Sequence, residues 1–435
     1  MKRRSAFARA ILILAVFSCG VLLQKYVGLG RLLPRPDRAA PNRESAALRY
    51  DAPVPPEALA GFGEPSSPFS PESAYVYSTG PERNGTGPSR FPSYRYYGHY
   101  RDVADYLASQ ERKAEARRLH DVFWAAEPAQ GEGDPFATQR SFLKETLGVA
   151  DAAPAGAVLG RERVSENESM IVSRLEMQSR IPAISFPLYT AAPAREAPRG
   201  VVIALHGHSG APEKVVGLEG RDYTRAFGAE LARDGYMVFA PYVLGVSRLN
   251  TNIHGLGMLY SKNTKYSIDL QKLLAVVDHV RSDPELGALP LAVYGISYGG
   301  RLAVLLAAID ARIDAVVSSG AMKFSRAMLE EHYGLESEVY WADQSIFNHP
   351  YHVYFDFADL ARLVRPRPLV IEMGAYDLFG RPEAMVEEWR AVQKIYAEGE
   401  AGDRVGLVWF RGYHETSPSL VLPVLDHFLF EARAD

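Results

Sequence analysis

Cysteine is nearly missing from this chain of 435 residues: Cys19 is the only one. No internal disulfide can form, and a zinc site built on two or more thiolates is excluded. An excess of charge of one sign is missing too. With 48 Lys and Arg against 52 Asp and Glu, the net charge of −4 offers no basis for nucleic-acid binding by bulk attraction. The apolar run at Ala10–Leu23 falls short of the roughly 20 residues that cross a bilayer unaided. No period of 20 to 50 residues recurs, so a solenoid or propeller is not expected. What is present is ordinary: 47% hydrophobic and 23% charged residues, the composition of a chain that folds around a large core.

The charge is unevenly spread. Residues 1–50 hold ten Lys or Arg and two acids, which leaves 38 basic and 50 acidic groups for the rest. Lys2, Arg3, Arg4 and Arg9 precede the apolar run, the layout of a secretory signal or an amino-terminal anchor. Cleavage after Gly20 and lipidation of Cys19 are two further fates for this segment. Residues 1–29 are therefore expected to send the chain to or across a membrane, with the acidic body on the outer side. From Arg31 to Phe91 the chain carries 11 prolines, which predicts an extended tether over residues 30–93.

A tyrosine-rich stretch, Tyr94 to Tyr106, opens a helical extension over residues 94–164. Val103, Tyr106, Leu107, Leu119, Val122 and Phe123 fall near helical spacing, and a second helix is expected around Phe142–Leu147. After Val164 the pattern changes. Short strands are predicted at Met170–Glu176, Ala183–Tyr189, Val201–Leu205, Tyr236–Ala240, Leu291–Tyr294, Ile313–Val317, Leu369–Met373 and Val405–Trp409. Helices are predicted at Tyr223–Ala232, Tyr266–Arg281, Gly300–Ile309 and Pro382–Tyr396. Alternation of this kind predicts an α/β fold over residues 165–435, a mostly parallel sheet with helices on both faces. Active groups on such a sheet belong at the carboxyl ends of its strands.

The clearest chemical signal is Gly295-Ile296-Ser297-Tyr298-Gly299-Gly300. A G-x-S-x-G turn between strand and helix sets a serine on a sharp corner, exposed above the sheet. Serine is a weak nucleophile until a base takes its proton, and that base needs a third group to hold it. Asp377 follows the strand Leu369–Met373, and His414 follows Val405–Trp409. Serine, acid and histidine thus leave successive strand ends in the order this arrangement requires. Glu372 is the rival acid but lies inside its strand. The sequence Leu205-His206-Gly207-His208-Ser209-Gly210 closes another buried strand and supplies an oxyanion loop, with the backbone N–H groups of His208 and Tyr298 as donors. A metal reading of His206-x-His208 or His349-x-x-His352 lacks an acidic or thiolate partner at ligand spacing.

These motifs resemble the α/β-hydrolase family over roughly Pro182–Phe430. The phrases V-I-A-L-H-G-H-S-G, R-P-R-P-L-V-I-E-M-G-A-Y-D and G-Y-H-E are closest to bacterial dienelactone-hydrolase-like and acetyl-xylan-esterase-like proteins. The resemblance implies a carboxylic-ester hydrolase that works through an acyl-serine, with no cofactor and a small-molecule or carbohydrate ester as substrate. Dienelactone hydrolases proper use cysteine; serine at position 297 departs from them and favours ordinary esters. The elbow is also similar to that of prolyl-oligopeptidase-like peptidases, but 164 upstream residues are too few for their propeller. A non-catalytic binding protein is disfavoured because every candidate catalytic position is filled. Residues 321–354, rich in aromatics, are either a lid that selects substrate or a helical packing layer.

Overall fold

The computed structural model describes residues 110–125, 134–149, 156–208, 210–220, 222–244, 265–322, 349–377 and 382–431. The expected leader, the proline-rich tether, Tyr94–Tyr106, most of the aromatic excursion and the side chains of His349 and His352 lie outside them. All described residues belong to one unit, Val54–Asp435. Among them, no helix is long and apolar enough to cross a membrane.

Among the described residues, nine strands form one sheet: β1 (Val158–Glu166), β2 (Met170–Gln178), β3 (Ser185–Pro193), β4 (Gly200–Leu205), β5 (Tyr236–Pro241), β6 (Leu291–Ile296), β7 (Ala315–Ser319), β8 (Leu369–Gly374) and β9 (Val405–Phe410). Their order across the sheet is β1-β2-β3-β5-β4-β6-β7-β8-β9. The first three are antiparallel neighbours, β3 pairs antiparallel with β5, and from β5 to β9 every pairing is parallel.

Strands β4, β6, β7, β8 and β9 are buried along their whole length because helices cover both faces. Alternate side chains serve the two layers. Val201, Ile203, Leu205, Val293 and Ile371 face one cluster; Val202, Ala204, Tyr294, Ile296 and Val370 face the other. Strand order reverses around β4: β5 lies on one side and β6 on the other. Such a reversal opens a crevice at the carboxyl ends of β4 and β6, the strands that lead into the His206 loop and the Ser297 turn.

Among the described residues, two helices precede the sheet, α1 (Gln110–Ala125) and α2 (Ala137–Leu147). They pack through Phe123, Trp124 and Phe142 onto Tyr354 and Phe355, at the end of α7 (His349–Tyr354). Trp124 Nε1 donates to the Tyr354 carbonyl at 2.8 Å, and His120 Nε2 lies 2.8 Å from Asp359 Oδ2. Asp359 belongs to the capping box that starts α8 (Phe357–Val364).

Two of the boundaries that differ from the sequence reading bear on the site. β7 runs from Ala315 to Ser319, two residues later than expected. Asp314 is held outside it by Arg281 and by the Leu291 N–H, and the shift carries the strand up to Ser319 beside the serine turn. After the short α3 (Pro212–Val215), the helix expected at Tyr223 begins only at Phe227, as α4 (Phe227–Arg233). Arg225 and Ala226 adopt φ values of 52° and 53°, a left-handed turn that helical periodicity cannot anticipate.

Candidate active site

Ser297 stands between β6 and α6 (Tyr298–Ile309) with φ 59° and ψ −119°. A serine held at positive φ is strained, and here the surrounding backbone holds it: Ser297 N–H donates to the Ser319 carbonyl at 2.8 Å, and its own carbonyl accepts from Arg301 N–H at 3.0 Å. A Cβ at Gly295 would run into the Gly299 backbone, and one at Gly299 into the Leu205 and His206 carbonyls. The turn therefore packs against the end of β4, and the G-x-S-x-G spacing is a steric requirement.

Asp377 and His414 meet as the sequence order required. His414 Nδ1 lies 2.7 Å from Asp377 Oδ2, with both side chains largely buried. The pair sits over the end of β7. Gly320, the residue after Ser319, has φ +54°, and a Cβ there would stand 2.9 Å from His414 Cε1 and 3.3 Å from Asp377 Oδ2. Ser319 binds the serine turn while Gly320 abuts the histidine–aspartate pair, so one strand end gathers all three residues.

The rival acid, Glu372, lies within β8 and is fully buried. One oxygen accepts from Tyr294 O–H at 2.7 Å, and the other accepts from the Ser417 N–H. Burial pushes its carboxyl up to about 7, against the pull of those hydrogen bonds. It ties the strand beneath Ser297 to the segment after His414.

The candidate oxyanion loop is braced by His206. Val243 N–H donates to His206 Nε2 at 3.2 Å, so Nδ1 carries the proton and donates to the Gly207 carbonyl at 2.8 Å. Burial lowers the pKa of this imidazole and keeps it neutral. Because a trans peptide points its C=O and N–H in opposite directions, the His208 N–H faces away from the His206 ring. A Cβ at Gly207 would stand 2.8 Å from that of Ser297, which places this loop against the nucleophile candidate. Tyr298 opens α6, so its N–H has no acceptor inside the helix. Both candidate donors thus border Ser297.

Behind them runs a polar stack the sequence did not reveal. The His208 ring lies on Tyr298 at 4.8 Å and Lys265 Nζ lies 3.2 Å from His208 Nε2. Tyr298 O–H donates to Asp269 Oδ2 at 2.8 Å, and Lys272 binds the other oxygen of Asp269 at 2.9 Å. Lys265, Asp269 and Lys272 all lie on α5 (Lys265–Ser282), and helical periodicity marks them only as polar positions. Glu415, next to His414, was visible in G-Y-H-E. Its partner Arg225, with Nε 2.6 Å from Glu415 Oε2, carried no local signal because it is 190 residues away.

Comparison with known proteins covers part of the same region. Residues 186–330 match the dienelactone hydrolase family. YtaP of Bacillus subtilis (strain 168), whose name calls it a hydrolase, is 24% identical over 251 residues, covering 55% of this chain and 81% of that protein. Among solved structures, the acetyl xylan esterase from Paenibacillus sp. R4 is 17% identical with a TM-score of 0.46, covering 70% of this chain and 96% of that one. The methylesterase BT1017 is 16% identical with a TM-score of 0.49, covering 74% and 69%. The fold itself is read from the sheet: parallel strands reversing at β4, with a serine turn after β6. The chain therefore has an α/β-hydrolase fold and, over residues 186–330, is similar to the dienelactone hydrolase family.

Proposed function

We propose that this protein hydrolyses carboxylic esters through an acyl-serine formed on Ser297. The observation that carries the reading is the convergence at the end of β7: Ser319 bonded to the Ser297 turn, and Gly320 against the hydrogen-bonded His414 and Asp377. On this reading His414 takes the Ser297 proton as Oγ attacks the ester carbonyl. The charge that develops on the carbonyl oxygen is met by the N–H groups of His208 and Tyr298. His414 then gives the proton to the departing alcohol, and water, activated by the same imidazole, releases the acid. Asp377 fixes the tautomer and steadies the imidazolium.

The substrate proposed is a small-molecule or carbohydrate ester, in keeping with the esterases named above. We also propose that residues 1–29 carry the enzyme to the membrane or beyond it, on the strength of Lys2, Arg3, Arg4 and Arg9 ahead of the apolar run.

The test is turnover of short-chain nitrophenyl esters against aminoacyl-nitroanilides by purified protein. Ester cleavage that Ser297→Ala abolishes supports the reading. Cleavage of the anilides alone would make the enzyme a peptidase, and no turnover of either would favour a binding protein. Fractionation that found the full-length chain soluble in the cytoplasm would overturn the proposed location.

A further inference from the structure

Tyr223 precedes the left-handed turn at Arg225 and Ala226, and its side chain reaches two parts of the candidate site at once. Its ring lies nearly parallel to the His414 imidazole, with centroids 6.2 Å apart and planes 18° apart. Its hydroxyl donates to the His208 carbonyl at 2.9 Å. Burial raises the phenol's pKa, with Asp222 adding to the shift, so it remains a donor at every working pH.

The backbone around Tyr223 is stitched to the residues that follow His414. Thr416 N–H donates to the Tyr223 carbonyl at 3.0 Å, and Thr416 Oγ1 donates to the Thr224 carbonyl at 2.7 Å. Arg225 pairs with the buried Glu415. The histidine segment thus fixes the Tyr223 backbone, and the Tyr223 side chain in turn holds the oxyanion loop. Two successive carbonyls of that loop are pinned: that of Gly207 by the His206 ring and that of His208 by the Tyr223 hydroxyl. Together they set where the His208 N–H points.

We infer that Tyr223 is a positioning residue that keeps the oxyanion loop in register with the general base, its hydroxyl acting on the loop and its ring on His414. This rests on the serine-hydrolase reading. Removing a direct oxyanion donor costs about 10²–10³ in kcat, and loosening one through its neighbour should cost less, about ten-fold.

Two variants separate the contacts. Tyr223→Phe keeps the ring and loses the hydroxyl; Tyr223→Leu loses both. For each, kcat and KM on p-nitrophenyl acetate are measured across pH, with the rate of Ser297 labelling by a fluorophosphonate and the thermal midpoint. Tyr223→Phe should lower kcat and labelling about ten-fold, hold KM within about two-fold and leave the acid limb of the profile in place. Tyr223→Leu should lower both further and move the acid limb upward, because an imidazolium with more access to water forms more readily. Wild-type rates in Tyr223→Phe would overturn the inference. So would losses in both variants that track the thermal midpoint with no shift of the acid limb. If the wild type itself neither turns over ester nor labels at Ser297, the serine-hydrolase reading falls and takes this inference with it. That failure is recognisable because the unaltered protein shows it.

Discussion

The two halves of the sheet are built to different specifications. From β4 to β9 the strands are parallel, buried on both faces, and end in the loops that carry Ser297, Asp377, His414 and His208. At the other edge, β1 is mostly exposed, and Arg161, Glu162 and Arg163 occupy its middle. Charge on an edge strand discourages pairing with another chain. No candidate site residue lies on β1 or β2. The parallel half carries the candidate site because crossover helices send every strand in one direction, which collects the loops at one end; hairpins alternate direction and scatter them.

The comparison is tested hardest at the serine. Ser297→Ala should lower ester turnover by about 10⁶ with the fold intact, since the lost hydroxyl forms the covalent bond and leaves only a small void. Circular dichroism beside a nitrophenyl acetate assay checks both halves of that statement. Next comes the acid. Asp377→Asn should lower kcat by about 10⁴ with little change in KM, because the imidazole would then favour the wrong tautomer. A comparable loss in Glu372→Gln alone would move the role to Glu372.

Stability should divide along the same line. Ile371→Ala, in the fully buried middle of β8, should cost about 2–5 kcal/mol in denaturant unfolding. Glu372 should make the parallel half sensitive to pH. Its folded pKa of about 7 lies above the ordinary value of 4.5, so the native state binds the extra proton. The stability this confers is complete below pH 4.5 and is lost as pH rises through 7, a change on the order of 3 kcal/mol. Glu372→Gln should flatten that slope; an unchanged slope would assign it to other groups. Smallest of all, Leu159→Ser on the exposed edge should shift unfolding by less than about 0.5 kcal/mol and leave turnover alone.

The same contrast explains what could be read from the chain. Val201–Leu205 and Leu291–Tyr294 stood out because strands buried on both faces are unbroken apolar runs. β1 was missed: V-L-G-R-E-R-V-S-E has neither a run nor a clean alternation, and its pairing with β2 defines it. Ser297, Asp377 and His414 were legible because each follows such a run at a strand's carboxyl end. Tyr223 and Arg225 were not. The Glu415 that Arg225 binds and the His414 ring beside Tyr223 lie about 190 residues away, and the local spacing of Tyr223 and Arg225 imitates a helix that the left-handed turn forbids.

The central claim is that Ser297 is the nucleophile, and trapping the acyl-enzyme tests it most directly. Purified protein mixed with p-nitrophenyl acetate, quenched in acid before the steady state and digested, should yield an acetyl group on the peptide carrying Ser297. The modification should be absent from Ser297→Ala. Steady ester turnover with the acetyl group on another residue would contradict the account.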